Sequence, residues 1–143
     1  MMIKFYKISI IPYALFLLYM MFLGFGREPY EDHIVRLKPI FSTIEFGERS
    51  LLWNNLKMFL INVFGNLLMF LPFGFLGWLL PRYNDLKTLL LAFLSVLISL
   101  EALQYFTRLG VLDIDDILLN TTGVWLGFHL KNMLEHSALK KIL

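Results

Sequence analysis

Four apolar runs separated by charged segments constrain this sequence more than any other feature. The first run contains nineteen uncharged residues between Lys7 and Arg27, and the second contains twenty-four between Lys57 and Arg82. A helix of about twenty apolar residues crosses the hydrocarbon core of a bilayer, which is roughly 30 Å thick. Each of these two runs is therefore long enough for one membrane span.

The other two runs carry charges close to or inside them. The third extends from Thr88 to Thr107 and is interrupted only by Glu101. The fourth starts in the stretch DIDDILLNTTGVWLG and has only fourteen uncharged residues between Asp116 and Lys131. Because this run is short for a span, either the helix is unusually short or carboxylates lie at membrane depth.

These runs predict an all-α, polytopic membrane protein. Hydrophobic residues make up 58% of the chain, above the roughly 45–50% of soluble domains, and charged residues make up 17%. We expect a single domain over residues 1–143, built as a bundle of four transmembrane helices. The expected spans are residues 8–26, 58–80, 88–107 and 116–130, with an extended loop over residues 27–57.

Local signals refine this outline. A signal peptide is the competing interpretation of the first run, but the run is long for one and no A-x-A-like cleavage site follows it. The loop could contain one short helix near residues 32–38. Pro72 predicts a kink in the second span, because proline removes a backbone hydrogen-bond donor.

The distribution of lysine and arginine predicts the orientation. Seven of the 13 basic residues lie in the N-terminal segment, the turn at residues 82–87 and the tail, whereas six lie in the long loop and at Arg108. Short cytoplasmic segments carry an excess of basic residues. We therefore expect a multi-pass protein of the cell membrane with both termini in the cytoplasm.

Polar side chains gather at the end of the bundle that faces the long loop. The second span starts at that end, the third finishes there and the fourth starts there. With a rise of about 1.5 Å per residue, their polar residues fall within one leaflet of that face. We expect the opposite half of the bundle to be nearly free of polar side chains. The expected cluster consists of Asn62, Asn66, Glu101, Gln104, Arg108, Asp113, Asp115, Asp116 and Asn120.

Glu101 is the polar residue that most needs an explanation. A carboxylate inside a span costs about 2.5–3.5 kcal/mol on insertion scales. Glu101, Gln104 and Arg108 follow an i, i+3, i+7 pattern, so Gln104 could bridge the other two. Glu101 could be paired with Arg108 or Lys57 in a structural ion pair, it could be protonated, or it could have a functional role.

The fourth helix carries a stripe that combines polar and small residues. Asp116, Asn120, Gly123 and Gly127 follow an i, i+4, i+7, i+11 pattern. Glycines four residues apart allow two helices to approach closely. We expect Gly123 and Gly127 to form a helix-packing surface.

The three aspartates before the fourth run allow two interpretations. Asp115 or Asp116 could cap the helix, because a carboxylate accepts hydrogen bonds from free amides and complements the helix dipole. Three acids exceed what one cap needs, so the others could bind a hard cation or a cationic group of a ligand. Since the chain has neither EF-hand spacing nor a zinc motif, we expect no metal site and no cofactor.

A non-enzymatic role is favoured, although catalysis stays open. The chain has no cysteine, and Ser95 and Ser99 have no histidine near them in sequence to act as a base. Glu101 and one aspartate could instead serve as acid and base. The net charge of +2, without a basic patch, argues against a nucleic-acid partner.

Three motifs, in this order and spacing, resemble those of the VanZ-like family. They are NVFGNLLMFLPFGFL at 62–76, ISLEALQYF at 98–106 and DIDDILLNTTGVWLG at 113–127. The segment LKPIFSTI at 37–44 is similar to the Pro-Phe loop segment of the family. Members often have an arginine shortly before the aspartate pair; here Val111 stands near that place and Arg108 lies further back.

The resemblance covers residues 39–130 and implies a small polytopic protein of the bacterial cell envelope. The family is linked to low-level resistance to teicoplanin, a glycopeptide antibiotic, which is a phenotype rather than a mechanism. The resemblance assigns motif positions to Asn62, Asn66, Pro72, Gly74, Glu101, Gln104, Asp115, Asp116, Asn120, Gly123 and Gly127.

From these observations we expect the polar cluster to bind a ligand within the lipid bilayer. The expected ligand is a lipid-linked cell-wall precursor or a phospholipid headgroup. One alternative is an intramembrane hydrolase or transferase that acts on a lipid headgroup through paired carboxylates. The other alternative is a structural or partner-binding membrane subunit.

Overall fold

The protein is mostly helical in a computed structural model, which describes residues 2–37 and 53–140. The four predicted helices are confirmed: α1 (Met2–Phe22), α2 (Trp53–Phe70), α3 (Leu86–Thr107) and α4 (Ile114–Lys140). By length and composition, membrane spans fit Met2–Phe22, Leu60–Trp78 and Leu86–Thr107. A membrane span in α4 stays a prediction.

The second span is two elements rather than one kinked helix. α2 ends at Phe70, and Leu71–Trp78 forms a 3₁₀ helix, which we call the 3₁₀ segment. Pro72 explains the change, because it lacks an amide hydrogen and its ring clashes with the carbonyl four residues earlier in an α-helix. Gly74 allows the backbone of the 3₁₀ segment to pack directly against α4, because a Cβ at this position would overlap the backbone amide of Phe128.

Two shorter 3₁₀ helices are also present among the described residues: Gly24–Gly26 follows α1, and Pro81–Asn84 leads into α3. Asp85 caps α3, since its carboxylate accepts hydrogen bonds from the Thr88 amide at 2.8 Å and the Thr88 hydroxyl at 2.7 Å. α3 ends at Thr107, and the following residue, Arg108, has a left-handed φ of 60° that stops the helix. The chain then turns directly towards α4.

Two short strands connect the loop to the turn between α3 and α4. β1 (Val35–Arg36) pairs in parallel with β2 (Leu112–Asp113), and the Leu112 amide donates to the Ile34 carbonyl at 3.2 Å. The short helix expected near residues 32–38 is wrong over 32–37, where the backbone includes β1. The rest of the predicted loop through residue 52, with Pro39 and the Pro-Phe segment, lies outside the described residues.

The core lies where α4 packs against α2 and the 3₁₀ segment. Its buried hydrophobic side chains are Phe70, Leu89, Val124 and Phe128. A Cβ on Gly123 would overlap the Leu67 carbonyl, and one on Gly127 would overlap the Leu71 carbonyl. The backbones therefore touch along this stripe of α4, as close packing through small residues requires.

α1 lies on the outside of the bundle and is attached by a few hydrogen bonds. The Tyr6 hydroxyl donates to the Pro72 carbonyl at 3.0 Å, and the Tyr13 hydroxyl donates to the Met69 carbonyl at 2.7 Å. Between Ile8 and Leu18 the exposed side chains of α1 are apolar; Ile8, for example, is 75% exposed. Such a large exposed apolar surface is suited to contact with lipid.

Candidate functional site

Four carboxylates come together where α3, β2 and α4 meet. Glu101 lies on α3, Asp113 ends β2, and Asp115 and Asp116 lie in the first turn of α4. Glu101, Asp113 and Asp115 are only 4%, 7% and 4% exposed, and Asp116 is half-buried. We call these four residues the carboxylate cluster.

Asp113 organises the turn that builds this cluster. Its Oδ1 accepts a hydrogen bond from the Asp115 amide at 2.9 Å, so Asp113 is the N-cap of α4. Its backbone also lies close to the carboxylate of Glu101. The sequence prediction that Asp115 or Asp116 is the cap is wrong, because α4 begins two residues earlier than a cap at Asp115 requires. Both aspartates do lie in the first turn, where they complement the helix dipole as predicted.

Glu101 has one carboxylate oxygen with no partner. Its Oε2 is buried and accepts no hydrogen bond from any described residue. The negative charges of Asp116 and Asp113 both act on Glu101, so its surroundings repel rather than stabilise a carboxylate. Leaving a buried acceptor unsatisfied costs about 1–3 kcal/mol, and more for a charged group.

Two asparagines border the cluster, and they differ in their hydrogen bonding. Asn66 on α2 donates from Nδ2 to Oδ1 of Asp116 at 2.8 Å. Asn120, one helical turn after Asp116, is 4% exposed. Its Oδ1 is the second buried acceptor without a hydrogen-bond donor in the described part of the chain. The site thus contains two unsatisfied acceptors, one on α3 and one on α4.

Arg36 is a cluster neighbour that the sequence analysis missed. Its Nη1 lies 3.7 Å from Oδ2 of Asp113, and its charge also acts on Asp116. The pairing of β1 with β2 places Arg36 there, across 77 positions of the chain. No local pattern marks Arg36 among the mixed charges of its loop, so only the strand pairing reveals its role.

Three predicted cluster members are either exposed or bonded to backbone rather than to the carboxylates. Asn62 is exposed on α2. Gln104 is buried, but its Nε2 donates to the Met21 carbonyl at 3.0 Å. Arg108 is exposed and donates from Nη1 to the Glu31 carbonyl at 3.1 Å. The predicted bridge from Gln104 to Arg108 is therefore wrong.

The ion pair that the sequence suggested for Glu101 is not formed with Arg108, since the arginine binds the loop backbone. The side chain of Lys57, the other suggested partner, lies outside the described part of the chain. Within that part, the positive charge nearest the cluster is instead the exposed Arg36. An exposed ion pair contributes little stability, so it offsets the buried negative charge only weakly.

A second polar group lies at the opposite end of the bundle, where almost no polar side chains were expected. Lys131 is 1% exposed, and its Nζ donates to Oδ1 of Asn84. Nζ also lies 3.9 Å from Glu135, whose other carboxylate oxygen accepts from Trp78 Nε1 at 2.6 Å. These contacts attach the end of α4, which explains why the helix continues past the predicted end at residue 130.

The serines of α3 and the carboxylates of the cluster differ in their hydrogen bonding. Both serines considered as nucleophiles are exposed and donate to their own helix, Ser95 to Leu91 and Ser99 to Ser95. Among the described residues, no group of three or more histidines and acids is arranged to hold a metal ion. A carboxylate cluster with unsatisfied acceptors can instead receive hydrogen bonds from a cationic or donor-rich group.

Comparison with known proteins assigns the family. The family model described as VanZ/LLP1 matches residues 10–135, a range that includes most of the four helices and the whole carboxylate cluster. Neither a curated protein nor a solved structure matches the chain. The apolar helices and this match over most of the sequence lead to one conclusion: the chain is a small helical membrane protein that belongs to the VanZ/LLP1 family.

Proposed function

We propose that the carboxylate cluster binds the headgroup of a lipid or of a lipid-linked cell-wall precursor. The observation that carries this proposal is the pair of buried acceptors, Glu101 Oε2 and Asn120 Oδ1, that find no donor among the described residues. Buried polar atoms are normally hydrogen-bonded, so two of them beside a carboxylate cluster favour an external donor. A ligand with N–H or O–H groups would satisfy both.

The charge balance of the site supports the same proposal. Glu101 and Asp116 carry like charges that act on each other. Among the described residues, the ion pair at the cluster is the one between exposed Arg36 and Asp113, at 3.7 Å. Ionisable groups at membrane depth are costly and most often mark a ligand or ion path. A positively charged or donor-rich headgroup would lower that cost by pairing with Glu101 and Asp116.

The family gives this proposal a cellular setting. We place the protein in the bacterial cell membrane, with α4 as a fourth span and both termini in the cytoplasm. There the cluster would bind an envelope component and so alter access of teicoplanin to its target. VanZ/LLP1 membership and three apolar helices support this setting.

Susceptibility testing of charge-neutral variants tests the proposal. Glu101→Gln and Asp116→Asn keep side-chain size but remove the acceptor charge, so we expect both to abolish a teicoplanin phenotype at unchanged membrane abundance. Asp85→Asn is the control, because Asp85 caps α3 at the other end of the bundle. Equal loss of folded protein in the two cluster variants would favour a structural or partner-binding subunit instead.

A second candidate is an intramembrane hydrolase or transferase that acts on a lipid headgroup. It is supported by two carboxylates, Glu101 and Asp116, that interact electrostatically while differing in burial. Such a difference lets one carboxyl act as acid while the other acts as base. Incubation of the purified protein with phospholipids and lipid-linked precursors, followed by mass spectrometry, tests this candidate. Absence of products with a folded sample would count against it.

A further inference from the structure

An apolar cavity lies between α1, the 3₁₀ segment and α3. Its volume is about 360 Å³. α1 contributes Ala14, Leu17 and Met21 to its wall, and α3 contributes Ala92, Phe93 and Leu97. Except for the edge at Tyr83, the side chains around it are hydrocarbon or aromatic. Such a space in a membrane protein fits a hydrocarbon chain and offers nothing to a polar molecule.

One end of the cavity lies next to the carboxylate cluster along α3. Leu97 lines the cavity, and Glu101 follows it by one helical turn on the same face of α3. Met21 also lines the cavity, and its carbonyl accepts the hydrogen bond from Gln104. The wall of α3 from Leu89 to Leu100 extends about 17 Å at the usual helical rise. The site therefore has an acidic end and a long apolar end, which is the pattern of an amphiphilic ligand.

The chemistry of the acidic end selects among headgroups. A phosphate or glycerol-phosphate group placed there would add negative charge beside Glu101 and Asp116, whose charges already repel each other. A trimethylammonium group is positive but has no N–H to donate, whereas a primary ammonium has three donors. A primary ammonium thus has enough donors for both Glu101 Oε2 and Asn120 Oδ1, the two buried acceptors that lack a donor among the described residues.

We propose that the site holds a membrane lipid with a primary-amine headgroup, its ammonium in the carboxylate cluster and one hydrocarbon chain in the apolar cavity. This inference rests on the proposed headgroup-binding function and adds to it the class of headgroup and the place of the chain. Gln104 acts here as a positioning residue, because its bond to Met21 joins α1 to α3 beside Glu101.

Native mass spectrometry of the full-length protein with defined lipids tests this inference. The probes are phosphatidylethanolamine, phosphatidylcholine and phosphatidylglycerol with identical acyl chains. We expect phosphatidylethanolamine to bind at least about tenfold more tightly than the other two lipids. One added hydrogen bond to a charged group is enough for a difference of this size. Equal binding of phosphatidylethanolamine and phosphatidylcholine would overturn the headgroup assignment.

Variants that fill the cavity test the position of the chain. Ala92→Phe on α3 and Ala14→Phe on α1 place a ring in the cavity from opposite walls, so one remains informative if the other misfolds. Ile98→Phe is the matched control, because Ile98 is 53% exposed on α3 and does not line the cavity. We expect the affinity for phosphatidylethanolamine to fall by about tenfold or more in the two filled variants and to stay unchanged in the control.

The outcomes separate this inference from the function on which it rests. If the filled variants bind like the wild type while Glu101→Gln loses the lipid, the chain assignment is wrong and headgroup binding stands. If Glu101→Gln binds every probe like the wild type, headgroup binding itself is wrong. Displacement of lipid by a second copy of the protein would also contradict the inference, because the cavity would then be an interface.

Discussion

Asn66 on α2 donates a hydrogen bond from Nδ2 to Oδ1 of Asp116 on α4 at 2.8 Å. This contact joins the second helix to the carboxylate cluster. Asn66→Ala leaves the half-buried carboxylate without its amide donor, so we expect destabilisation of roughly 0.5–1.5 kcal/mol, as for other hydrogen bonds between membrane helices. Unfolding in bicelles or detergent gives the measurement. Asn62→Ala, one turn earlier on an exposed position, is the matched control and should change stability far less.

Replacement of Gly123 by alanine should separate α4 from α2. The new Cβ would overlap the Leu67 carbonyl, and backbone cannot move aside as a flexible side chain can. Overpacking of this kind costs about 1–3 kcal/mol. Gly65→Ala on α2 is the control, because a Cβ there meets nothing within 4 Å. Thermal unfolding of both variants checks the prediction, and an equal effect at the two glycines would refute the close packing described for α4.

Lys131→Met should loosen the end of α4 while leaving the core intact. Methionine keeps the apolar stem but loses the hydrogen bond to Asn84 and the attraction to Glu135. We expect the free energy of unfolding to fall by about 1.5 kcal/mol, which is the low end of the range for hydrogen bonds to charged groups. The low end applies because Asn84 and Glu135 are both accessible to water. Hydrogen exchange of amides near residue 131 should increase. Exchange unchanged from the wild type, or equally increased by Lys87→Met at an exposed site, would contradict this role.

The cap of α3 should respond to pH. Hydrogen bonds from the hydroxyl and the amide of Thr88 lower the pKa of Asp85 below its ordinary value. Because the folded pKa is lowered, the stabilisation is present above the unfolded pKa and is lost as pH falls through the folded pKa. Thr88→Val removes the hydroxyl and should raise the pKa of Asp85 towards its ordinary value without restoring it fully, as measured by carboxyl NMR titration. An unchanged pKa would show that the hydroxyl does not contribute.

Features with a local cause could be predicted from the sequence. The apolar runs predict four helices, and the polar residues near Glu101 and Asp116 predict a cluster at one end. Pro72 predicts an interruption of the second span, although the 3₁₀ geometry depends on contact between Gly74 and α4. These predictions depend on length, hydropathy and helical spacing, which act within one segment of the chain.

Features that depend on contacts between distant segments could not be predicted. Arg36 reaches Asp113 only because β1 pairs with β2. In the sequence, Lys131 looks like the first charged residue of a tail in water. Its burial depends on the contact with Asn84, which is distant in the chain. Asp113 rather than its neighbours became the cap because the helix begins immediately after β2. In each case the local sequence is compatible with more than one role for the residue, and a contact with a distant segment determines which role it has.

Lipid binding by Glu101→Gln tests the central claim most directly. The experiment compares three proteins purified in mild detergent: the wild type, Glu101→Gln and the control Glu135→Gln. Thermal unfolding first shows that all three are folded to a comparable extent. Native mass spectrometry then measures the lipid bound to each. Glu135 is a matched carboxylate at the opposite end of α4. The account predicts that Glu101→Gln loses the bound lipid while the wild type and Glu135→Gln retain it. Equal lipid occupancy in all three folded proteins would contradict the claim that the carboxylate cluster is a headgroup site.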